Sequence, residues 1–121
     1  WLTRDAAIVD AYIADPMCGF VASCGLLRDM VKSFRYIQAP DNLEVMKKDL
    51  PVFFIAGGDD PVGPYGKGVE KCAAAFKSAG MEDVSIKIYP LGRHEILNET
   101  NRQEVYEDVV QWMEKNIDKL N

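Results

Sequence analysis

The apolar positions change character along the chain. Residues 1–49 carry helical stripes, whereas residues 50–121 alternate strand-like and helix-like segments. Within Asp5–Ala14, Ile8, Val9, Tyr12 and Ile13 fall on one helical face, with Thr3 as the expected N-cap. Asp15-Pro16 ends that helix, because the residue before proline is pushed out of the helical region. Residues 23–37 repeat the pattern: Leu26, Leu27, Met30, Val31, Phe34 and Ile37 share one side, expected to pack into a core or a cap. Pro40 closes this segment, and a short helical turn is expected over Leu43–Met46.

Leu50–Ile55 reads Leu-Pro-Val-Phe-Phe-Ile, continuously apolar, which predicts a strand buried on both faces, as in a parallel sheet. Ala56-Gly57-Gly58-Asp59-Asp60-Pro61 reads as a loop. A helix is expected from Tyr65 or Gly66 to Ala79, stopped by Gly80 in a left-handed C-cap. Val84–Tyr89 alternates and predicts a second strand, with Pro90 at its end. Thr100 or Asn101 caps a last helix containing Val105, Val109, Trp112, Met113 and Ile117. The order strand, helix, strand, helix predicts a parallel crossover in an α/β sheet. Two strands cannot bury one another on every side. An edge as apolar as Val52–Ile55 needs a neighbour, expected from a missing N-terminal half of the fold or from self-association.

Length and composition narrow the classes. The 121 residues suit one domain or less. With 48% apolar and 27% charged residues, the chain is globular rather than low-complexity or disordered. The net charge of −5 argues against non-specific nucleic-acid binding, which needs a positive field. No apolar run approaches the roughly 18 residues of a membrane span, and no signal-peptide pattern opens the chain. It starts at Trp1 rather than Met, so a processed or cut piece of a longer protein is expected. Cys18, Cys24 and Cys72 are too sparse for a disulfide framework and fit a reducing, cytoplasmic setting. The Cys18–Cys24 spacing, with no neighbouring His, is a poor start for a zinc site.

In open α/β sheets, function gathers at the carboxyl ends of the strands. The first strand end carries Asp59 and Asp60; the second leads into Arg93-His94-Glu95, with the chain's single histidine. Neighbouring strands would bring carboxylate and imidazole to the same edge. A carboxylate accepting from the imidazole fixes its tautomer and stabilises the imidazolium formed on proton uptake. Taken singly, the signals are ordinary: a histidine after a strand is commonly structural, and Asp60-Pro61 is a good turn dipeptide. Other arrangements stay open, among them a divalent metal held by Asp59, Asp60, His94 and Glu95, and a non-catalytic binding domain. Gly63-Pro-Tyr-Gly66-Lys67-Gly68 does not meet the phosphate-loop spacing, which needs Gly at position 61 and a hydroxyl at 68.

Leu50-Pro-Val-Phe-Phe-Ile-Ala-Gly-Gly-Asp-Asp-Pro-Val-Gly63 resembles the α/β-hydrolase segment in which a strand runs into the acid of the triad. Counted from Gly57, the acid falls on Asp60, leaving Asp59 as a solvated neighbour. Ile88-Tyr89-Pro90-Leu-Gly-Arg-His94-Glu-Ile-Leu-Asn-Glu99 is similar to the segment that carries the triad histidine, and Asn101–Trp112 to the closing helix. The match is best with the lysophospholipase and monoacylglycerol-lipase-like branch, also labelled serine aminopeptidase-like. Residues 1–49 resemble the end of that branch's helical cap and its return to the sheet. The resemblance implies an α/β fold, the C-terminal part of an α/β-hydrolase: two parallel strands with flanking helices, preceded by part of a cap. It implies catalytic roles for Asp60 and His94, no cofactor and no metal, and a lipid-like ester substrate, with amide or peptide hydrolysis as the alternative. The family's Gly-x-Ser-x-Gly nucleophile elbow precedes the acid. Here only Val21-Ala-Ser-Cys-Gly25 approaches it, too close to Asp60 to leave room for the intervening strand and cap. Ser23 is therefore set aside, and the nucleophile and oxyanion hole are expected upstream of this chain, which alone would be inactive.

Overall fold

The computed structural model describes residues 1–117. Its elements are α1 (Ala6–Ala14), α2 (Cys24–Ile37), α3 (Pro40–Glu44), β1 (Val52–Gly57), α4 (Lys67–Ser78), β2 (Val84–Tyr89), a 3-10 turn (Ile96–Asn98) and α5 (Arg102–Asn116). β1 and β2 pair in parallel, from Val52 opposite Val84 to Gly57 opposite Tyr89. This is the α/β arrangement the order of elements predicts.

Side-chain alternation assigns the two faces of the sheet. Phe53 stacks on Trp112 of α5 at 5.6 Å between ring centroids, while Phe54 meets Phe76 of α4 edge-on at 5.0 Å. On the α5 face, Ile55 packs on a small core of Tyr89, Ile96 and Val105. Tyr89 is fully buried, and its hydroxyl donates to Asp108 at 2.8 Å. Lys87, on the same face, pairs with Asp108 and Glu104 of α5. One helix thus covers each face, which explains why the first strand is apolar at consecutive positions.

Several boundaries move for physical reasons. Pro51 has no N–H to give, so the ladder starts at Val52, whose N–H donates to Asp83 O at 2.8 Å. The strand then runs through Ala56 and Gly57, residues whose composition reads as loop. α1 is capped by Asp5, whose carboxylate accepts from Ala7 N, and not by Thr3. Thr3 is buried and donates to Asn98 O instead. α3 spans Pro40–Glu44 rather than Leu43–Met46, with proline at its first turn. α4 ends as expected: Gly80 is left-handed at φ +88°, and the Met81 and Gly80 amides donate to Phe76 O and Lys77 O. Asn101 precedes α5, but its side chain makes no cap and accepts from Arg4 at 2.7 Å.

The stripe on α2 does not meet the expected core. Leu26, Leu27, Met30, Val31, Phe34 and Ile37 are between 42% and 57% exposed. Ser23 caps this helix by accepting from Leu26 N. The whole chain exposes 8487 Å², against roughly 6,600 Å² for a compact monomer of its mass. Among the described residues, no helix is long and apolar enough to cross a membrane.

Candidate active site

The parallel register places the ends of β1 and β2 side by side, and backbone bonds then join the loops that follow. Gly58 N donates to Tyr89 O and Asp59 N to Gly92 O, both at 2.8 Å. Gly57 allows this approach. A Cβ there would stand 2.2 Å from Gly92 O and 2.3 Å from Arg93 O, closer than any side chain tolerates. Across the joint, Pro90 and Leu91 turn the chain, with Gly92 N donating to Tyr89 O and Leu91 at φ +61°.

Asp60 and His94 come together at this joint. His94 Nδ1 lies 3.1 Å from Asp60 Oδ2. Asp60 is 7% exposed; its second oxygen accepts from Val62 N at 2.8 Å. Gly63 leaves the carboxylate room, since a Cβ there would fall 2.9 Å from Oδ2. Burial pushes the Asp60 carboxyl up, but the His94 bond, the Val62 and Gly63 amides and the charge of His94 outweigh it and hold it below the usual value. An ionised carboxylate only accepts. It therefore places the imidazole proton on Nδ1 and leaves the lone pair on Nε2, the form of a general base. The imidazole is 40% exposed, so Nε2 belongs to an accessible ring. Trp1 lies against it, with centroids 5.4 Å apart, and Tyr12 meets Trp1 edge-on at 6.2 Å.

The neighbours divide differently. Asp59 is exposed and takes no part in the pair. Arg93 donates to Thr3 O at 3.3 Å, and Glu95 accepts from Asn98 at 2.7 Å. Ser23 is a helix cap. Among the described residues, no group of three or more His, Cys, Asp and Glu side chains is gathered to hold a metal, so Asp59, Asp60, His94 and Glu95 do not form such a set.

Three neighbours of the histidine loop escaped the sequence reading: Trp1, Arg4 and Glu99. The Trp1 and Leu2 carbonyls accept from His94 N and Glu95 N at 3.3 and 2.8 Å. Glu99 is 1% exposed and accepts from Arg93 N at 2.8 Å and from Arg4 Nε at 2.9 Å. A glutamate ahead of a helix is commonplace, and its partner lies 95 residues away. Only a glutamate spaced five residues after a candidate histidine hinted at it.

The site thus sits on a parallel strand pair flanked by a helix on each face, with Asp60 after one strand and His94 after the next. A family model described as serine aminopeptidase, S33, matches residues 1–101, and the chain belongs to that family. Among solved structures, it is similar to a highly thermostable carboxyl esterase from Bacillus coagulans, crystallised in complex with glycerol. The two share 31% identity and superpose with a TM-score of 0.78 over 92% of this chain. The chain spans 36% of the esterase's length.

Proposed function

We propose that this chain supplies the acid and the histidine of a Ser-His-Asp triad in a hydrolase of carboxylic esters, of the lysophospholipase or monoacylglycerol-lipase kind. The serine comes from a segment outside residues 1–121. The observation that carries this reading is the 3.1 Å contact of His94 Nδ1 with the buried Asp60, at the carboxyl end of adjacent parallel strands. Likeness to a carboxyl esterase favours ester over amide. The aromatic wall of Trp1 and Tyr12 beside His94 suits an apolar substrate group. The apolar edge at β1 suits strands of the serine-bearing segment better than β2, where Ser85 and Lys87 interrupt the apolar pattern.

In this mechanism His94 Nε2 takes the serine proton as Oγ bonds the ester carbonyl carbon. The imidazolium, held by Asp60 at Nδ1, then gives that proton to the departing alkoxide as the acyl–oxygen bond breaks. Water, deprotonated by the same Nε2, attacks the acyl-enzyme and releases acid and serine.

The test is turnover of a p-nitrophenyl ester and labelling by a fluorophosphonate in the complete protein. Asp60→Asn should lower kcat by roughly 10⁴-fold and His94→Ala by roughly 10⁶-fold, and both should suppress labelling of the upstream serine. Wild-type turnover in either variant would overturn the assignment. Faster hydrolysis of an aminoacyl p-nitroanilide than of the ester would move the enzyme to the amide class.

A further inference from the structure

The loop that presents His94 has no strand or helix of its own between Tyr89 and Ile96, so its amides need acceptors from elsewhere. Three consecutive amides find them. Arg93 N donates to Glu99 Oε1, His94 N to Trp1 O and Glu95 N to Leu2 O. The segment bearing those two carbonyls is itself tied down by Arg4. Its backbone N–H donates to Glu99 Oε1 at 3.2 Å and its guanidinium to Glu99 Oε2 at 2.9 Å and Asn101 at 2.7 Å. Thr100 N supplies a fourth bond, to Oε2 at 3.1 Å. A carboxylate has about four acceptor sites; Glu99 fills them with four donors from three stretches of chain while fully buried.

We infer that Glu99 is the positioning residue of the histidine: it fixes Arg93 N directly and, through Arg4, holds the Trp1 and Leu2 carbonyls that fix His94 N and Glu95 N. It touches neither the imidazole nor Asp60. The inference rests on the hydrolase reading of Asp60 and His94 and adds a residue to it. A full negative charge is what this place requires. Three of its donors are backbone amides and the fourth is a guanidinium, and burial is offset only by a group that satisfies all four. Glutamine keeps one acceptor oxygen for Arg93 N but turns an NH₂ toward Arg4 Nε, donor against donor.

The experiment compares Glu99→Gln and Glu99→Ala in the complete hydrolase, assayed on a p-nitrophenyl ester well below each variant's unfolding midpoint. Expected are a kcat lowered about 10-fold by Glu99→Gln and about 100-fold by Glu99→Ala, the scale of an angstrom of misplacement. KM should stay within about twofold, because uniform binding is untouched. A readout independent of turnover is the His94 Nδ1–H resonance in protein labelled with ¹⁵N-histidine, assigned by its loss in His94→Ala. It should lose its protection from solvent exchange in both Glu99 variants. A folded pair with wild-type kcat and an unchanged Nδ1–H signal would overturn the inference and leave the hydrolase reading standing. If Glu99→Ala does not fold, Glu99→Gln decides. Failure of Glu99→Gln to fold would make Glu99 a residue of general stability and would equally overturn it. Wild-type turnover in His94→Ala would instead defeat the hydrolase reading itself.

Discussion

The carboxyl edge of the sheet and helix α2 carry equally strong sequence patterns and end in opposite conditions. At the edge, bonds join residues 34 to 97 positions apart: Asp60 with His94, Thr3 with Asn98, Arg4 with Glu99 and Asn101. On α2 the side-chain bonds stay local, from Leu26 N to Ser23, Arg28 to Asp29 and Ser33 to Asp29 O, and the apolar face stands about half exposed. An amphipathic stripe specifies a helix and the need for a partner, but not the partner. A loop without repeating structure is placed only by acceptors brought from elsewhere in the fold. The edge has these; α2 does not.

Beyond the Asp60 and His94 substitutions, the change that should damage the edge most is Gly57→Ala. Its methyl group meets backbone on both sides of the joint, at Gly92 O and Arg93 O, and no side chain can swing away to relieve it. We expect a loss of about 3 kcal/mol, the upper range for overpacking, read as a lower urea midpoint, and in the proposed complete hydrolase a loss of ester turnover as Asp60 and His94 part. An unchanged midpoint would mean that the joint yields more than its geometry allows. Acid tests the same region more gently. Burial opposes ionisation of Asp60 and Glu99, yet the His94 bond in one case and the Arg93 amide and Arg4 in the other keep both carboxyls below their usual values. The unfolded chain then binds more protons than the folded one between the lowered values and about pH 4. Their stabilisation is complete above that range and is lost as pH falls through it. Urea unfolding from pH 6 downward should show this decline, and Asp60→Asn or Glu99→Gln should each flatten it. Parallel curves for variant and wild type would remove the carboxylate concerned from the account.

The parts of this organisation legible in the sequence are those set by short-range rules. Continuous apolarity at Val52–Ile55, alternation at Val84–Tyr89 and the glycine stop at Gly80 translate directly into β1, β2 and the end of α4. The carboxylate–histidine pair is legible in two steps: parallel neighbours share a carboxyl edge, so strand order brings Asp59 and Asp60 to the side of His94, and the resemblance to the hydrolase segment singles out Asp60. What held the histidine loop was not legible. Thr3 reads as a helix cap but spends its hydroxyl on Asn98, and Glu99 carries no periodic signal. Both act across 95 or more residues or through backbone atoms, which any sequence supplies at any position.

Ser23→Ala separates the two roles a serine near a glycine could play. Its oxygen accepts from Leu26 N, so removing it should cost about 1 kcal/mol, the usual value of an N-cap. Fluorophosphonate labelling of the complete protein should not change. Loss of labelling would place the nucleophile here and reverse the mechanism proposed above.

The smallest expected effect bears directly on what α2 lacks. Leu27 and Val31 are 46% and 44% exposed, and each shares the open face of the helix. For side chains that pack on so little, Leu27→Ser and Val31→Ser should change the unfolding free energy of the isolated 121-residue chain by no more than about 0.5 kcal/mol each. In a complete hydrolase whose serine-bearing part covers this face, the same substitutions bury a hydroxyl where a branched apolar group sat, so they should cost about 2 kcal/mol or more. Equal, small effects in both settings would mean that α2 keeps its open face in the finished protein. Equal, large effects would mean that the isolated chain already covers it, by pairing with a second copy, and a midpoint that rises with protein concentration would identify that case.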